Sequence, residues 1–317
     1  MDDELIKFNG VAKWFGRKEV ISNLSLTIPE NKITGIIGAS GEGKTTLLKL
    51  LVGFYKPTKG EILYSKRKVL EEKNLKNIFG FSTEECSFHS RLTVIENLYH
   101  FGALHHVRRK ELKKRVEEII DLVELNHARK TIAGDLSMGM KKRLDVAISL
   151  IHEPSVLIMD EPTADLDPLL RVKMLDLMKK VNKKGTTIIF TTQILRDMDK
   201  VCNKIAILFE KKILHQGNPN TIKRKYGCSN LEEVFNKIFS KEKKEKLNEI
   251  KKEDNLKKKD GNIEKKIKDK EEAKSKSIEE NSPNNQRGKE KNLKLTEEQL
   301  DLIQEKIDLS MNREDMK

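Results

Sequence analysis

The chain has 317 residues, of which 37% are apolar and 36% charged, and its formal net charge is +13. A chain of this length and composition can bury a hydrophobic core as one large domain or two small ones. Its apolar runs, such as residues 186–190, are far shorter than the ~20 residues of a membrane-spanning helix. The acidic residues 1–4 are unlike a secretory signal, so we expect a cytosolic protein. The three scattered cysteines predict neither a disulfide framework nor a zinc site.

Charge divides the chain into a basic body and a nearly balanced tail. Residues 241–317 hold 22 Lys and Arg against 20 Asp and Glu, so the positive excess lies on residues 1–240. A basic body suits anionic ligands, nucleic acid or an acidic membrane surface, although a general richness in lysine gives the same count. The tail lacks aromatic residues, which predicts disorder or a fraying helix. A capping box at Thr296 and Gln299 predicts a short amphipathic helix over residues 296–309.

Within residues 1–240, short β-branched runs alternate with helical patterns. Strands are predicted at residues 32–37, 155–159 and 186–191, and helices at 44–52 and 168–181. This alternation is typical of an α/β fold with a mostly parallel sheet. Residues 92–152 have helical patterns throughout, with Val116, Ile119, Ile120 and Val123 on one apolar face. We therefore expect a helical insert in the α/β core.

Residues 38–45, GASGEGKT, lie between a predicted strand and a predicted helix and fit the phosphate-binding loop pattern. Glycines in this pattern let consecutive backbone N–H groups surround a phosphate at a helix N-terminus. Lys44 then offsets charge on the β- and γ-phosphates, and the Thr45 hydroxyl ligates Mg²⁺. The residues expected to contact ATP here are Gly38, Ser40, Gly41, Gly43, Lys44, Thr45 and Thr46.

An acidic pair, Asp160 and Glu161, follows the predicted strand at residues 155–159. Ligands of open α/β sheets bind at the carboxyl ends of the strands, where this pair lies. Asp160 can hold the Mg²⁺ shell, and Glu161 can polarise an attacking water as a general base. Acidic residues often end strands as solvated turns, and the phosphate-binding loop upstream is what favours a catalytic pair here.

Residues 136–140, LSMGM, precede the acidic pair, and residues 164–167, ADLD, follow it. Together with the phosphate-binding loop, these motifs stand in the order and spacing of the ATP-binding cassette (ABC) family, which the chain resembles over residues 5–240. The resemblance implies a P-loop NTPase core with an N-terminal antiparallel β portion and a helical subdomain at about 92–152. It also implies a head-to-tail dimer in which Ser137 and Gly139 of one copy donate to the γ-phosphate held by the other.

An aromatic residue of the family stacks on adenine, and Phe15 matches it. The neighbouring Trp14 is an alternative, and an ordinary core aromatic is another interpretation of Phe15. Residues 91–98 and Asn218–Pro219 resemble the exporter branch, whose membrane partner is a separate polypeptide. We expect the partner's coupling helices to dock near residues 84–106, which would place the chain on the cytoplasmic face of the membrane.

Three positions depart from the family pattern. Glu84 stands where the family has the glutamine that contacts Mg²⁺, Gln193 stands for the switch histidine, and Met138 for the first signature glycine. Glu84 can still offer an oxygen to a hard cation but adds negative charge. Gln193 can donate a hydrogen bond to the γ-phosphate but cannot carry positive charge. Our hypothesis is that the protein binds ATP and dimerises but hydrolyses slowly alone.

Two other functions are compatible with the sequence. A soluble cassette protein could use its basic body on ribosomes or DNA, but the compact spacing of Lys44 and Asp160 argues against nucleic acid as the partner. A weakly hydrolysing regulatory subunit could pair with a distinct, intact cassette, although the retained Glu161 argues for residual activity. The leading prediction is the ATP-binding and hydrolysing subunit of an exporter.

Overall fold

The computed structural model describes residues 4–65, 67–68 and 75–240, which belong to one compact unit. The predictions for the tail at 241–317, including the helix over 296–309, lie outside the described residues. The strands are β1 (Glu4–Phe15), β2 (Lys18–Pro29), β3 (Ile33–Ile37), β4 (Lys59–Tyr64), β5 (Arg67–Lys68), β6 (Phe79–Ser82), β7 (Val156–Met159), β8 (Thr187–Thr192), β9 (Lys204–Phe209) and β10 (Lys212–Gly217). The helices are α1 (Lys44–Leu51), α2 (Leu75–Ile78), α3 (Val94–Leu104), α4 (Arg109–Leu122), α5 (Met138–Leu150), α6 (Pro168–Lys183), α7 (Leu195–Val201), α8 (Pro219–Tyr226) and α9 (231–240).

The strands form two sheets. An antiparallel sheet has the order β2-β1-β4-β5, and a six-stranded sheet has the order β10-β9-β3-β8-β7-β6. In the larger sheet, β9, β3, β8, β7 and β6 run parallel, and only β10 is antiparallel to its neighbour. The mostly parallel sheet and the N-terminal antiparallel portion are therefore confirmed.

The central strands are buried on both faces. Every residue of β3, β7 and β8 is buried, as expected of parallel strands covered on both faces; β7 is wholly apolar, while β3 and β8 also contain threonine. One core cluster lies where the antiparallel sheet and α1 meet the larger sheet, and a second packs the other helices against its opposite face. In the described part of the chain, no helix has both the length and the apolarity to cross a membrane.

The helical region between β6 and β7 contains α3, α4 and α5, joined by turns. The predicted apolar face of α4 is confirmed, because Val116, Ile119, Ile120 and Val123 are all buried. A capping box starts α3: the Thr93 hydroxyl accepts from the Glu96 N–H, and the Glu96 carboxylate accepts from the Thr93 N–H. The hydrogen bond from the Thr93 backbone lowers the pKa of the Glu96 carboxyl.

Sheet order decides which loops meet. The strands β3, β8, β7 and β6 are successive neighbours and run parallel, so their carboxyl ends lie side by side, about 4.8 Å apart, at one edge of the sheet. The segments that leave this edge are the predicted phosphate-binding loop after β3, Gln193 after β8, the acidic pair after β7 and Glu84 after β6. Residues far apart in sequence are thereby brought to one edge of the sheet.

Candidate active site

The predicted phosphate-binding loop joins β3 to α1, as the sequence pattern requires. Gly41 and Gly43 have φ angles of 82° and 98°, a backbone conformation that favours glycine. The first N–H groups of an α-helix have no intrahelical acceptors. Gly43, which caps α1, makes no side-chain hydrogen bond to them either. Among the other residues of the phosphate-binding loop and the first turn of α1, Gly38 is buried, Ser40 and Thr45 are exposed, and Thr46 is half-buried.

Lys44 is the first residue of α1, and its side chain is 7% exposed. Its ammonium donates to the carbonyl oxygens of Gly38 and Ala39, at 3.0 and 3.1 Å. It also forms an ion pair with Glu161, whose Oε1 lies 3.2 Å from Nζ. An ammonium has three protons to donate, and three acceptors surround this one. A phosphate that binds Lys44 must therefore exchange with at least one of them.

The acidic pair is fixed by a threonine from the neighbouring strand. The Thr191 hydroxyl donates to Asp160 Oδ1 at 2.5 Å and accepts from the Glu161 N–H at 3.0 Å. The Asp160 N–H donates to the Ser82 carbonyl on the other side, at 2.9 Å. Glu161 has a φ of 49°, which is uncommon for a residue other than glycine and costs about 1–3 kcal/mol. Strain held in place by surrounding contacts is typical of functional sites.

Gln193 contacts the same glutamate. Its backbone N–H donates to Glu161 Oε2 at 3.3 Å, and its side-chain amide donates to Oε1 at 3.4 Å. The Glu161 carboxylate thus lies between Lys44 and Gln193. The structure brings together these two predicted catalytic residues, Asp160 and the phosphate-binding loop.

Glu84 lies in a loop that is fastened to α5 at several points. The side chain of Asp145 accepts from the Ser82 hydroxyl and from the Ser87 N–H, each at 2.6 Å. The Lys142 ammonium, which is buried, donates to the backbone carbonyl of Glu84. Two residues of α5 therefore hold both ends and the middle of residues 82–87, while the Glu84 carboxylate faces solvent.

Opposing effects act on the pKa of the Asp145 carboxyl. Burial raises the pKa of its carboxyl above the ordinary value, although the hydrogen bonds from Ser82 and Ser87 and the charge of Lys142 lower it. At β6, Gly80 lies so close to α5 that a Cβ on it would overlap the Ser149 carbonyl oxygen. The backbones of β6 and α5 are in direct contact there.

The signature residues Ser137 and Gly139 lie at the start of α5. Ser137 is the N-cap, and its hydroxyl accepts from the Met140 N–H at 3.4 Å. A Cβ on Gly139 would be 2.7 Å from Leu170 Cδ1, so the Leu170 side chain on α6 would have to move to admit a side chain there. Met138, which stands at a family glycine position, is 52% exposed. The contacts described for these residues are with α5 itself and with α6.

Phe15 is 40% exposed, which is not the burial expected of an ordinary core aromatic. Its ring packs edge-on against Tyr55 with centroids 5.0 Å apart, and the Lys13 ammonium lies 4.9 Å from its centroid. Trp14 is half-buried and has the Lys59 ammonium 5.7 Å from its ring. An exposed aromatic face next to cations is suited to stacking on an anionic nucleotide.

Sequence reasoning missed three residues of this site. Thr191 gave no signal, since a threonine in a β-branched strand is ordinary. Lys142 belongs to a basic run that reads as a solvated helix face, yet it is 4% exposed. Asp145 could have been recognised from the sequence. It is an acidic residue next to Leu144, Val146 and Ala147, in a helix segment that is otherwise apolar on all its faces, which indicates a buried carboxylate.

The fold and the site define a class of protein. A glycine-rich loop that opens a helix, next to a buried acidic pair on a parallel sheet, is the arrangement of P-loop nucleotide-binding proteins. The left-handed glycines, the helix start and Lys44 fit a nucleoside triphosphate, and the oxygens of Thr45 and Asp160 fit Mg²⁺.

The sequence matches the ABC transporter family over residues 21–164. It is 31% identical to the Nod factor export ATP-binding protein I of Rhizobium sp., over 73% of this chain and 77% of that protein. It is 33% identical to ABC transporter G family member 23 of Dictyostelium discoideum, over 75% of this chain but only 34% of that protein, so it spans about a third of this relative. A dimeric ATP-binding cassette in a post-hydrolysis state, bound to ADP and Pi, has the same fold, with a TM-score of 0.61, 25% identity and coverage of 67% of this chain and 98% of that one. The chain belongs to the ABC transporter family of ATP-binding proteins.

Proposed function

We propose that the chain is the ATP-binding and hydrolysing subunit of an exporter and forms a dimer on binding ATP and Mg²⁺. The dimer would drive a separate membrane-spanning subunit and lie on the cytoplasmic face of the membrane through that partner. The observation that carries the proposal is the buried contact of Lys44 with Glu161, 3.2 Å long, beside the phosphate-binding loop. The export relative and the nucleotide-bound dimer support it.

The residues have distinct roles in this proposal. Lys44 and the N–H groups around Gly41 and Gly43 bind the phosphates, and Phe15 stacks on the adenine. Thr45, Asp160 and Glu84 offer oxygens to Mg²⁺, which when bound neutralises phosphate charge. Binding of ATP offers Lys44 a phosphate in exchange for Glu161, which releases the glutamate to polarise the attacking water.

The second copy completes the site. Ser137 and Gly139 at the start of α5 offer a hydroxyl and backbone N–H groups, which suit an anion at a helix N-terminus. ATP would favour the closed dimer because only there does it contact both surfaces, and this difference in affinity supplies the force for transport. The domain division assumed here, a cassette over 1–240 with a helical subdomain at about 92–152 and a charged tail over 241–317, is part of the proposal.

The test is ATP-Mg²⁺ binding by the full chain. We expect Lys44→Ala to lose most of the affinity and Lys49→Ala, on the same helix, to keep it. Equal affinity in parent and Lys44→Ala would contradict the proposal. The second ABC subunit of the dimer is either another copy of this chain or a distinct cassette. Co-purification tests the partner: a multispanning membrane protein supports an exporter, a distinct second cassette supports a heterodimer, and ribosomes or nucleic acid would contradict the proposal.

A further inference from the structure

His89 and His100 form a pair on the surface of the helical region. His89 lies in the loop before α3 and His100 on α3, and both side chains are exposed. Their Nε2 atoms are 3.1 Å apart, with ring centroids separated by 4.6 Å and planes at 80°. Two imidazoles with the same nitrogen this close could both ligate one ion beside the line that joins the nitrogens, once each ring tilts toward it.

The backbone holds the two histidines in this relation. Asn97, which is fully buried, accepts from the His89 N–H at 2.8 Å and donates to the His89 carbonyl at 3.0 Å. The same amide donates to the carbonyls of Leu92 and Thr93, and Asn97 lies three residues before His100 on α3. The loop carrying His89 is thus fixed to the helix that carries His100.

The spacing of the nitrogens fits a metal ion. A metal–imidazole bond is about 2.0–2.1 Å long, so two nitrogens on one ion are about 2.9 Å apart at a right angle and about 3.4 Å apart at the tetrahedral angle. The observed 3.1 Å lies between these values. We propose that His89 and His100 chelate a borderline-soft divalent transition-metal ion of the zinc and copper class, with water in its remaining positions.

The chemistry of the pair supports this choice of ion. Imidazole nitrogen suits Zn²⁺ and Cu²⁺, whereas Mg²⁺ prefers oxygen, so the site is distinct from any magnesium held with a nucleotide. In the metal-free protein one Nε2 carries a proton and the other accepts it. On chelation that proton shifts to Nδ1 of its own ring, and both Nε2 lone pairs become free for the metal. The proposal does not depend on the proposed ATPase function.

The pair is a minimal site. Over residues 4–65, 67–68 and 75–240, no group of three or more His, Cys, Asp or Glu side chains is arranged to hold a metal ion. Two protein ligands give weaker binding than a closed four-ligand site, but preorganisation by Asn97 reduces the cost of ordering them. Bound metal would tie residues 89–93 more tightly to α3.

The experiment titrates the full chain with Zn²⁺ and Cu²⁺ by calorimetry, with Mg²⁺ for comparison. We expect one Zn²⁺ or Cu²⁺ ion to bind at this pair and Mg²⁺ not to bind there. His89→Gln and His100→Gln should each weaken Zn²⁺ affinity at least about tenfold, because each removes one of two ligands. The exposed His127, outside the pair, supplies the matched control, and His127→Gln should bind as the parent does.

Electron paramagnetic resonance of the Cu²⁺-loaded parent gives an answer that does not depend on the folding of any variant. Hyperfine coupling to two equivalent imidazole nitrogens supports the chelate. Coupling to a single imidazole overturns it, and so does Zn²⁺ affinity in His89→Gln and His100→Gln equal to that of the control.

Discussion

Two regions differ in how many of their polar contacts are made within one chain. They are the Lys44 corner (Lys44, Asp160, Glu161 and Gln193) and the signature segment (residues 137–139). Lys44, Glu161, Asp160 and Gln193 are joined by contacts of 2.5–3.4 Å, directly or through Thr191. Ser137, by contrast, is exposed and its hydroxyl caps its own helix. The first region carries its own partners, and the second presents donors outward.

Substitutions in the two regions are therefore restricted for different reasons. Residues of the Lys44 corner are constrained by each other. Removing either Lys44 or Glu161 leaves a buried charge unpaired, at a cost of about 3–5 kcal/mol. In the signature segment, Gly139 is buried against Leu170 of α6, whereas Ser137 is exposed and its hydroxyl proton remains available. We expect substitutions in the corner to change the chemistry itself and substitutions in the segment to change closure of the proposed dimer.

The largest effect is expected at the corner. Glu161→Gln keeps the shape of the side chain but removes the base, so ATP turnover should fall at least about 100-fold while ATP-Mg²⁺ affinity is retained. Turnover and equilibrium binding, measured on the same preparation, check this. Glu153→Gln is the control, since Glu153 is also a glutamate with a positive φ, at 56°, but pairs with Arg115. Unchanged turnover in Glu161→Gln would exclude Glu161 as the base.

Gln193→His tests whether the corner lacks a cationic donor at position 193, in addition to Lys44. The histidine can carry positive charge beside Glu161, so we expect turnover to rise about 30-fold, equivalent to about 2 kcal/mol of transition-state stabilisation. Steady-state ATPase measurements on variant and parent decide this. Equal turnover at equal ATP affinity would contradict the hypothesis of a weakened site.

Gly139→Ala addresses the signature segment through packing alone. The new Cβ would meet Leu170 Cδ1 at 2.7 Å, so either the Leu170 side chain or the start of α5 must shift. Overpacking of this kind costs about 1–3 kcal/mol, and we expect about a tenfold loss of ATPase activity. Adding Leu170→Ala should restore most of it. Failure of the double variant to recover would show that the loss has another cause.

The smallest effect concerns the stability of the contact between α5 and the Glu84 loop. Because burial raises the pKa of Asp145, the folded protein binds its proton more readily than the unfolded chain does. The contribution of this group is full below its unfolded pKa of about 3.9 and is lost as the pH rises through the raised value. The free energy of unfolding of Asp145→Asn should therefore increase relative to the parent across that window.

Urea denaturation at a series of pH values measures this difference. Asparagine keeps an acceptor for the Ser87 N–H, and the Ser82 hydroxyl can reverse its role to accept from the amide, so the variant should fold. A difference in unfolding free energy that is the same at every pH would contradict the assignment.

The sequence predicted the elements whose signals are local. The phosphate-binding loop and the buried strands were recognised because glycine spacing and apolar runs are written in consecutive residues, and boundaries were wrong only by small shifts: the strand predicted at 186–191 is Thr187–Thr192, and the helix predicted at 168–181 extends to Lys183. The contacts of Gln193 with Glu161 follow from strand order, which no single segment encodes. The buried environments of Lys142 and Asp145 depend on packing between β6 and α5, and residue type alone is ambiguous there.

The fastening of residues 82–87 to α5 has a mechanical consequence for the proposed dimer. Asp145 and Lys142 hold the loop and Gly80 lies against the helix backbone, so the loop and α5, which Ser137 caps, are joined at several points. In the proposed dimer Ser137 would close on the nucleotide of the other copy, so a displacement of the loop near Glu84 would reach that nucleotide through α5. Each subunit would thus transmit a force applied at its own surface to the ATP bound by the other subunit.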